Sequence, residues 1–246
     1  MTHLVTHGWQ AALEWLFPAT CALCSAPGNA LCVACRRDVA VGLEHACHRC
    51  AIPLPARVHE PGHVRLCGRC LRRMPAYDRT LAAARYEAPF DQLIRGLKYG
   101  ATLAYVPLLA DLIEARTVAA RATGWPGVDV LVPVPLSRER MATRGFNQSI
   151  EIAKVVARRI GVPLDASGVL RIHDTLPQAS LPLDARRRNV RGAFAVIDAQ
   201  RSRLRDLHVG VVDDVMTTGA TLDELARTLK RAGAKTVCNL VAARTP

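Results

Sequence analysis

Residues 211–222 read VVDDVMTTGATL: an apolar run delivers two adjacent carboxylates, and a turn of threonines and small residues follows at once. Asp213 and Asp214 would repel a phosphate, but they can accept hydrogen bonds from the hydroxyls of a sugar. Thr217, Thr218, Gly219, Ala220 and Thr221 lead into a helical pattern. Backbone N–H groups and the helix dipole favour an anion there, and glycine lets the backbone come close. A phosphate is expected on residues 217–221 with a diol beside it, which together describe a ribose 5-phosphate. The plainer alternative, a surface turn with a capping threonine, fits poorly with two consecutive acids at the end of an apolar run. Neither a G-x-x-x-x-G-K-[ST] loop nor a G-x-G-x-x-G turn is present.

Cysteine supplies the second chemistry. Eight of the nine cysteines form four C-x-x-C pairs: Cys21/Cys24, Cys32/Cys35, Cys47/Cys50 and Cys67/Cys70. Each pair sets two sulfurs on one side of a tight knuckle, and two knuckles complete a tetrahedral site. The spacing predicts two structural Zn2+ ions with sequential pairing of the knuckles. An arrangement that joins the first knuckle to the third stays open. Redox pairs occur singly beside a βαβ pattern, and these do not, so a thioredoxin-like reading is set aside. Four thiolates leave no open coordination position, which makes the sites structural rather than catalytic. His45, His48 and His63 read as solvated side chains rather than ligands, and Cys238 as a small buried residue on a strand.

The elements that must hold these groups follow from hydrophobic periodicity. Composition shifts near residue 75, which divides the chain into an N-terminal segment with a double zinc ribbon (1–75) and a larger domain (76–246). In the larger domain, strands are expected over 80–86, 128–135, 207–214 and 235–243. Helices are expected over 90–99, around Val106–Ile113, over Ile150–Ile160 with Gly161 as its stop, and from Leu222 to a stop at Gly233. The apolar strands do not alternate with polar residues, so both faces are covered. The fold class is therefore α/β, a parallel sheet flanked by helices behind a small zinc-ribbon domain with four cysteines to each ion.

The formal charge is +12 over 246 residues. Residues 1–75 hold 8 Lys/Arg against 4 Asp/Glu, and residues 76–246 hold 25 against 17. Two zinc tetrathiolates would cancel the N-terminal excess and leave the basic bias on the larger domain, where it suits phosphate-bearing partners or plain solubility. Arg138, Arg140 and Arg144, with Asn147 and Gln148, follow the strand at 128–135 and could reach a pyrophosphate, with Lys98 as a further cation. The densest basic run, Arg186, Arg187, Arg188 and Arg191, could contact a DNA backbone or form a solvated turn. Aromatic residues are 4% of the chain, so no stacking platform for single strands is evident. No stretch reaches the length of a transmembrane helix. The N-terminal segment lacks a basic leader and a long apolar core, so no signal peptide and a cytoplasmic location are expected.

VVDDVMTTGATL resembles the ligand signature of type I phosphoribosyltransferases, which bind 5-phosphoribosyl 1-pyrophosphate (PRPP) with Mg2+. The resemblance implies that Asp213 and Asp214 meet the ribose hydroxyls and that Thr217–Thr221 cradle the 5-phosphate. LIRGLKYG (93–100), VPVPLSRERMATRGFNQS (132–149), LPQASL (176–181), RRRNVRGAF (186–194) and the cysteine-rich N-terminus narrow it to the ComF competence family. That likeness covers nearly the whole chain and implies a role in DNA uptake. The partners it implies are incoming single-stranded DNA and proteins of the uptake machinery. Three roles are compatible with these residues. One is a PRPP- and Mg2+-binding accessory of DNA handling. The second is an active phosphoribosyltransferase, with Asp213, Asp214, Arg144 and Lys98 at the reacting centre and a base or amine as acceptor. The third is a PRPP-sensing regulator. No base-reading pocket is recognisable.

Overall fold

Four apolar runs form one parallel sheet in a computed structural model that describes residues 20–55, 64–173 and 189–246. The strands are β1 (Arg79–Arg85), β2 (Val130–Pro133), β5 (His208–Met216) and β6 (Thr236–Arg244), in the order β1-β6-β5-β2. Gly210 lies opposite Cys238, and Arg79 opposite Cys238 on its other side, which fixes the register across three strands. A short antiparallel pair, β3 (Val169–Arg171) with β4 (Phe194–Val196), stands apart from the sheet.

The helices are α1 (Val33–Ala40), α2 (Gly68–Arg72), α3 (Asp91–Gly100), α4 (Val106–Ala122), α5 (Arg138–Arg144), α6 (Gln148–Ile160), α7 (Asp198–Leu204) and α8 (Ala220–Arg231). They start and stop where local chemistry requires. Asn147 caps α6 by accepting hydrogen bonds from the Ser149 and Ile150 amides, and Gly161 ends it at φ +70°. Alternate residues of each strand enter different cores. On one face Leu81, Leu131, Val212 and Leu240 pack with α3, α4 and α6; on the other Val130, Val211 and Val241 pack with Leu222, Leu225 and Leu229 of α8.

The N-terminal cysteines belong to these same cores. Cys21, Leu31 and Val39 join the α3–α4 side, whereas Leu43, Cys47, Cys50 and Cys70 join the α8 side. β1 is the edge of the sheet, and the second ribbon continues its pairing: Thr80 N–H donates to His48 O at 3.1 Å. An edge strand left bare invites pairing with another chain, and this one is covered. None of the helices among the described residues is long and apolar enough to cross a membrane.

Candidate functional site

The two carboxylates stand near the end of β5, the edge of an open α/β sheet where ligands bind. Asp213 Oδ1 accepts the Ser149 hydroxyl at 2.9 Å and the Asp214 amide at 3.0 Å. Lys98, in the last turn of α3, places Nζ 3.0 Å from Asp214 Oδ2. That contact is ionic rather than an aligned hydrogen bond, because among the described residues no donor meets the buried Oδ2 in hydrogen-bond geometry. Burial pushes the Asp213 carboxyl up to about 7, reinforced by the Asp214 carboxylate and opposed by Lys98 and Ser149. Burial also works against the Lys98 ammonium, but the charges of Asp214 and Asp213 outweigh it and hold its pKa above the ordinary value.

The turn after β5 is built from below. Gly219 has φ +79°, and a Cβ there would sit 2.6 Å from Met216 Cε and 2.9 Å from Tyr77 Oη. Only glycine fits both the left-handed backbone and that close packing. Thr218 Oγ1 accepts the Ala220 amide at 3.3 Å, and Asp223 N–H closes the first helical bond to Gly219 O. Thr217, Thr218 and Thr221 are half-buried, while Gly219 and Ala220 are buried. The amides at the start of α8 and these hydroxyls line one turn beside two carboxylates. The carboxylate pair and the threonine-rich turn are adjacent, as the spacing predicts.

The other predicted residues divide. Arg144 lies near Lys98, its Cζ 5.6 Å from the Tyr99 ring centroid, and Gly145 ends α5 at φ +74°. Arg138 is exposed and Arg140 half-buried on the same helix. Asn147, expected to face the ligand, uses its side chain within the fold: besides capping α6, Nδ2 donates to Val134 O at 3.0 Å. Gln148 is buried, and its Oε1 meets no donor among the described residues, an acceptor held ready for one. Arg191 is exposed, and Arg186, Arg187 and Arg188 lie outside the described residues. The sequence reading missed Ser149. Its signal was available, since it ends the RGFNQS block, but only the packing of α6 on β5 shows that it reaches Asp213.

The cysteines form two groups, Cys21/Cys24/Cys32/Cys35 and Cys47/Cys50/Cys67/Cys70, each with its sulfurs within 4.8 Å of one another. Pairing is sequential, and the interlaced alternative falls. Four thiols this close cannot all ionise without a cation. In the second group a hydrogen bond from Cys47 holds Cys50 down to about 4, while burial pushes Cys70 up to about 12. In the first group burial opposes ionisation of Cys21, but backbone N–H groups of Cys32, Cys24 and Leu23 bring it down to about 6. Backbone N–H groups also donate to sulfur, from Cys35 to Cys32 and from Cys67 to Cys47. This donor set fits tetrahedral Zn2+. Among the described residues no His, Asp or Glu belongs to such a cluster. His48 is half-buried rather than solvated, and burial lowers its pKa; His63 lies outside the described residues. Cys238 is buried on β6 and pushed up to about 12 by burial, an inert core thiol.

Two family models match the chain: a double zinc ribbon domain over residues 12–71 and a phosphoribosyl transferase domain over residues 147–245. The DNA utilization protein YhgH of Salmonella typhi is 34% identical over 226 residues, covering 89% of this chain and 94% of that protein. Competence protein F of Haemophilus influenzae is 27% identical over 218 residues, covering 85% and 94%. Among solved structures, the glutamine PRPP amidotransferase of B. subtilis aligns at 19% identity with a TM-score of 0.38, over 57% of this chain and 26% of that one.

Proposed function

This chain belongs to the ComF competence family, DNA utilization and competence proteins with a double zinc ribbon and a phosphoribosyltransferase-like domain, and from that premise we propose that it binds PRPP with Mg2+ and handles incoming single-stranded DNA in the cytoplasm. The observation that carries the ligand reading is the juxtaposition of Asp213 and Asp214 with the 217–221 turn at one end of β5. The carboxylates accept the 2- and 3-hydroxyls of the ribose, and the turn takes the 5-phosphate. Ser149 fixes Asp213 while Lys98 balances the charge on Asp214.

No carboxylate cage for a divalent ion exists among the described residues. Mg2+ would be held chiefly by the pyrophosphate of PRPP, with few protein groups. When bound it supplies positive charge to that pyrophosphate. Arg144 and Lys98 extend the positive field on the protein side. The orphaned acceptor of Gln148 offers a hydrogen bond to a ligand hydroxyl or amine near Ser149.

Calorimetric titration with PRPP and Mg2+ tests the reading. Saturable heat is expected from the native chain, and about a 100-fold loss of affinity in Asp213→Ala/Asp214→Ala, given roughly 1.5–3 kcal/mol per charged hydrogen bond. No heat, or equal affinity in the variant, overturns it. Pyrophosphate release from PRPP across bases, amines and single-stranded DNA then separates transfer chemistry from binding alone.

A further inference from the structure

A second recess, of about 450 Å3, lies at the seam between the second ribbon and the edge strand, away from the turn at 217–221. Its wall is formed by β1 around Thr80, the C-terminal half of α4 and the segment around His48, and three arginines enter it: Arg65, Arg79 and Arg116. Several other arginines of the chain have carboxylate partners, as in Arg49–Asp78, Arg85–Glu87, Arg159–Asp111 and Arg227–Asp223. Among the described residues these three have none within ion-pair distance. Glu44, the acid of the lining, is exposed and makes no ion pair with a described residue.

Their donors are also underused. Arg65 gives Nη2 to Pro55 O at 3.0 Å, and its Nε and Nη1 are buried without a partner among the described residues. Arg116 gives Nη2 to Leu43 O at 3.3 Å, and its Nε is buried and equally unmet. The Arg79 guanidinium stacks instead, its Cζ 5.7 Å from the Trp125 ring centroid, which fixes its plane. Burial lowers the pKa of both Arg79 and Arg116; at Arg116 the exposed Glu44 carboxylate opposes burial and the nearby Arg79 charge adds to it, so the two guanidinium groups feel one another. Like charges gathered in a half-enclosed recess repel, and buried charged donors without acceptors are costly. An anion with several acceptor oxygens in the recess relieves the repulsion between them.

We propose that Arg65, Arg79 and Arg116 form a second phosphate-binding site, at the seam between the zinc ribbon and the sheet edge. The volume suits one nucleotide or a short stretch of phosphodiester chain. Among the described residues no Phe, Tyr or Trp lines the recess, so the phosphate is the recognised group and base identity is not read. The site is independent of the ribose-phosphate reading at β5, and it offers the single-strand handling part of the proposed function a location in the described structure.

The test uses the full zinc-loaded chain and three probes: a 5′-labelled oligothymidylate, thymidine monophosphate and inorganic phosphate. Arg79→Gln/Arg116→Gln should weaken oligothymidylate binding about 10- to 100-fold at low salt and make its log–log salt dependence shallower by about 1.4, at roughly 0.7 per neutralised phosphate. Arg79→Lys/Arg116→Lys should recover most of the affinity, since the charge is kept. PRPP affinity should not change in either variant, so failure here and failure at β5 are separable. Loss confined to oligothymidylate identifies a phosphodiester chain as the source of the phosphate. Equal loss for thymidine monophosphate identifies a free nucleotide. Unchanged affinity for all three probes overturns the proposal. So does an equal loss in the lysine variant, because that would report disturbed structure. Two zinc ions per chain and an unshifted melting temperature qualify each variant for the comparison.

Discussion

The two ribbons start from the same local geometry. Cys21 and Cys47 each accept a hydrogen bond at their carbonyl from the residue after the second cysteine, Ser25 or Ala51, and both of those residues have positive φ. Thr20 bridges to Pro27 in one, and Ala46 to Pro53, at the same offset, in the other. Their surroundings differ. In the first group Cys24 is exposed and Cys32 and Cys35 are half-buried, and the ribbon packs on the α3–α4 face. In the second, Cys47, Cys50 and Cys70 are buried on the face of α8. Arg244 Nε donates to Cys50 O at 2.8 Å while its Nη1 reaches Met216 O at 3.3 Å. Tyr77 lies under Gly219, and the Ala76 amide donates to Asp223 in the first turn of α8. One ribbon packs on the α3–α4 face of the sheet, away from α8. The other is the floor beneath the candidate phosphate turn. A repeated metal module thus acquires different roles from what it is packed against.

The largest expected effect breaks this asymmetry directly. Cys50→Ser should lose one zinc, leave buried Arg244 without its neighbouring thiolates, and cost about 3–5 kcal/mol. At about 2–4 °C per kcal/mol for a chain of this size, melting falls by roughly 6–20 °C, with loss of PRPP heat. Cys24→Ser should also lose one zinc, yet leave PRPP affinity within about twofold, given the packing of the first ribbon on the opposite face of the sheet from α8. Equal loss of affinity in both variants would erase the distinction.

Arg244→Gln removes the bridge but keeps both metals. Its expected cost is about 2–3 kcal/mol, chiefly from the Cys50 carbonyl left unpaired, since Met216 O keeps the Thr245 amide as a donor. Zinc content should remain two while PRPP affinity drops about tenfold, the equivalent of roughly 1.4 kcal/mol. Gly219→Ala probes the same floor from above. The flexible Met216 can yield but Tyr77 is buried, and the positive φ adds strain, for a total of about 1–3 kcal/mol. Circular dichroism melts with PRPP titration read both consequences.

The pH-dependent effect lies away from either ribbon. Asp213 has a folded pKa pushed up to about 7 from the ordinary 3.8, so its neutral form is favoured by folding. The stability it contributes is complete below about pH 4 and is lost as pH rises through about 7. Asp213→Asn should therefore melt increasingly higher than the native chain between about pH 5 and pH 8. A constant difference, or one that shrinks toward the alkaline end, would show that the carboxylate is not held this way.

Much of the frame was legible in the sequence because its causes are local. The C-x-x-C knuckles, the apolar strands at 80–86 and 207–214, and the stop at Gly161 each depend on residues within a few positions. So did the pairing of acids with a small-residue turn at 213–221. Asn147 shows the limit of that reasoning: its type and place suited a ligand, but an asparagine before a helix has a competing task as its cap.

Residue type and spacing alone determined that this protein carries two groups of paired cysteine knuckles and a carboxylate pair beside a small-residue turn on a parallel sheet. Only the tertiary structure decided which groups meet across long separations. Ser149 reaches Asp213, Lys98 reaches Asp214, Arg244 joins Cys50 to Met216, and three arginines from different elements share one recess. These contacts arise from how strands and helices stack. Periodicity tells which face of an element is buried, but not which side chain of a distant element it will face.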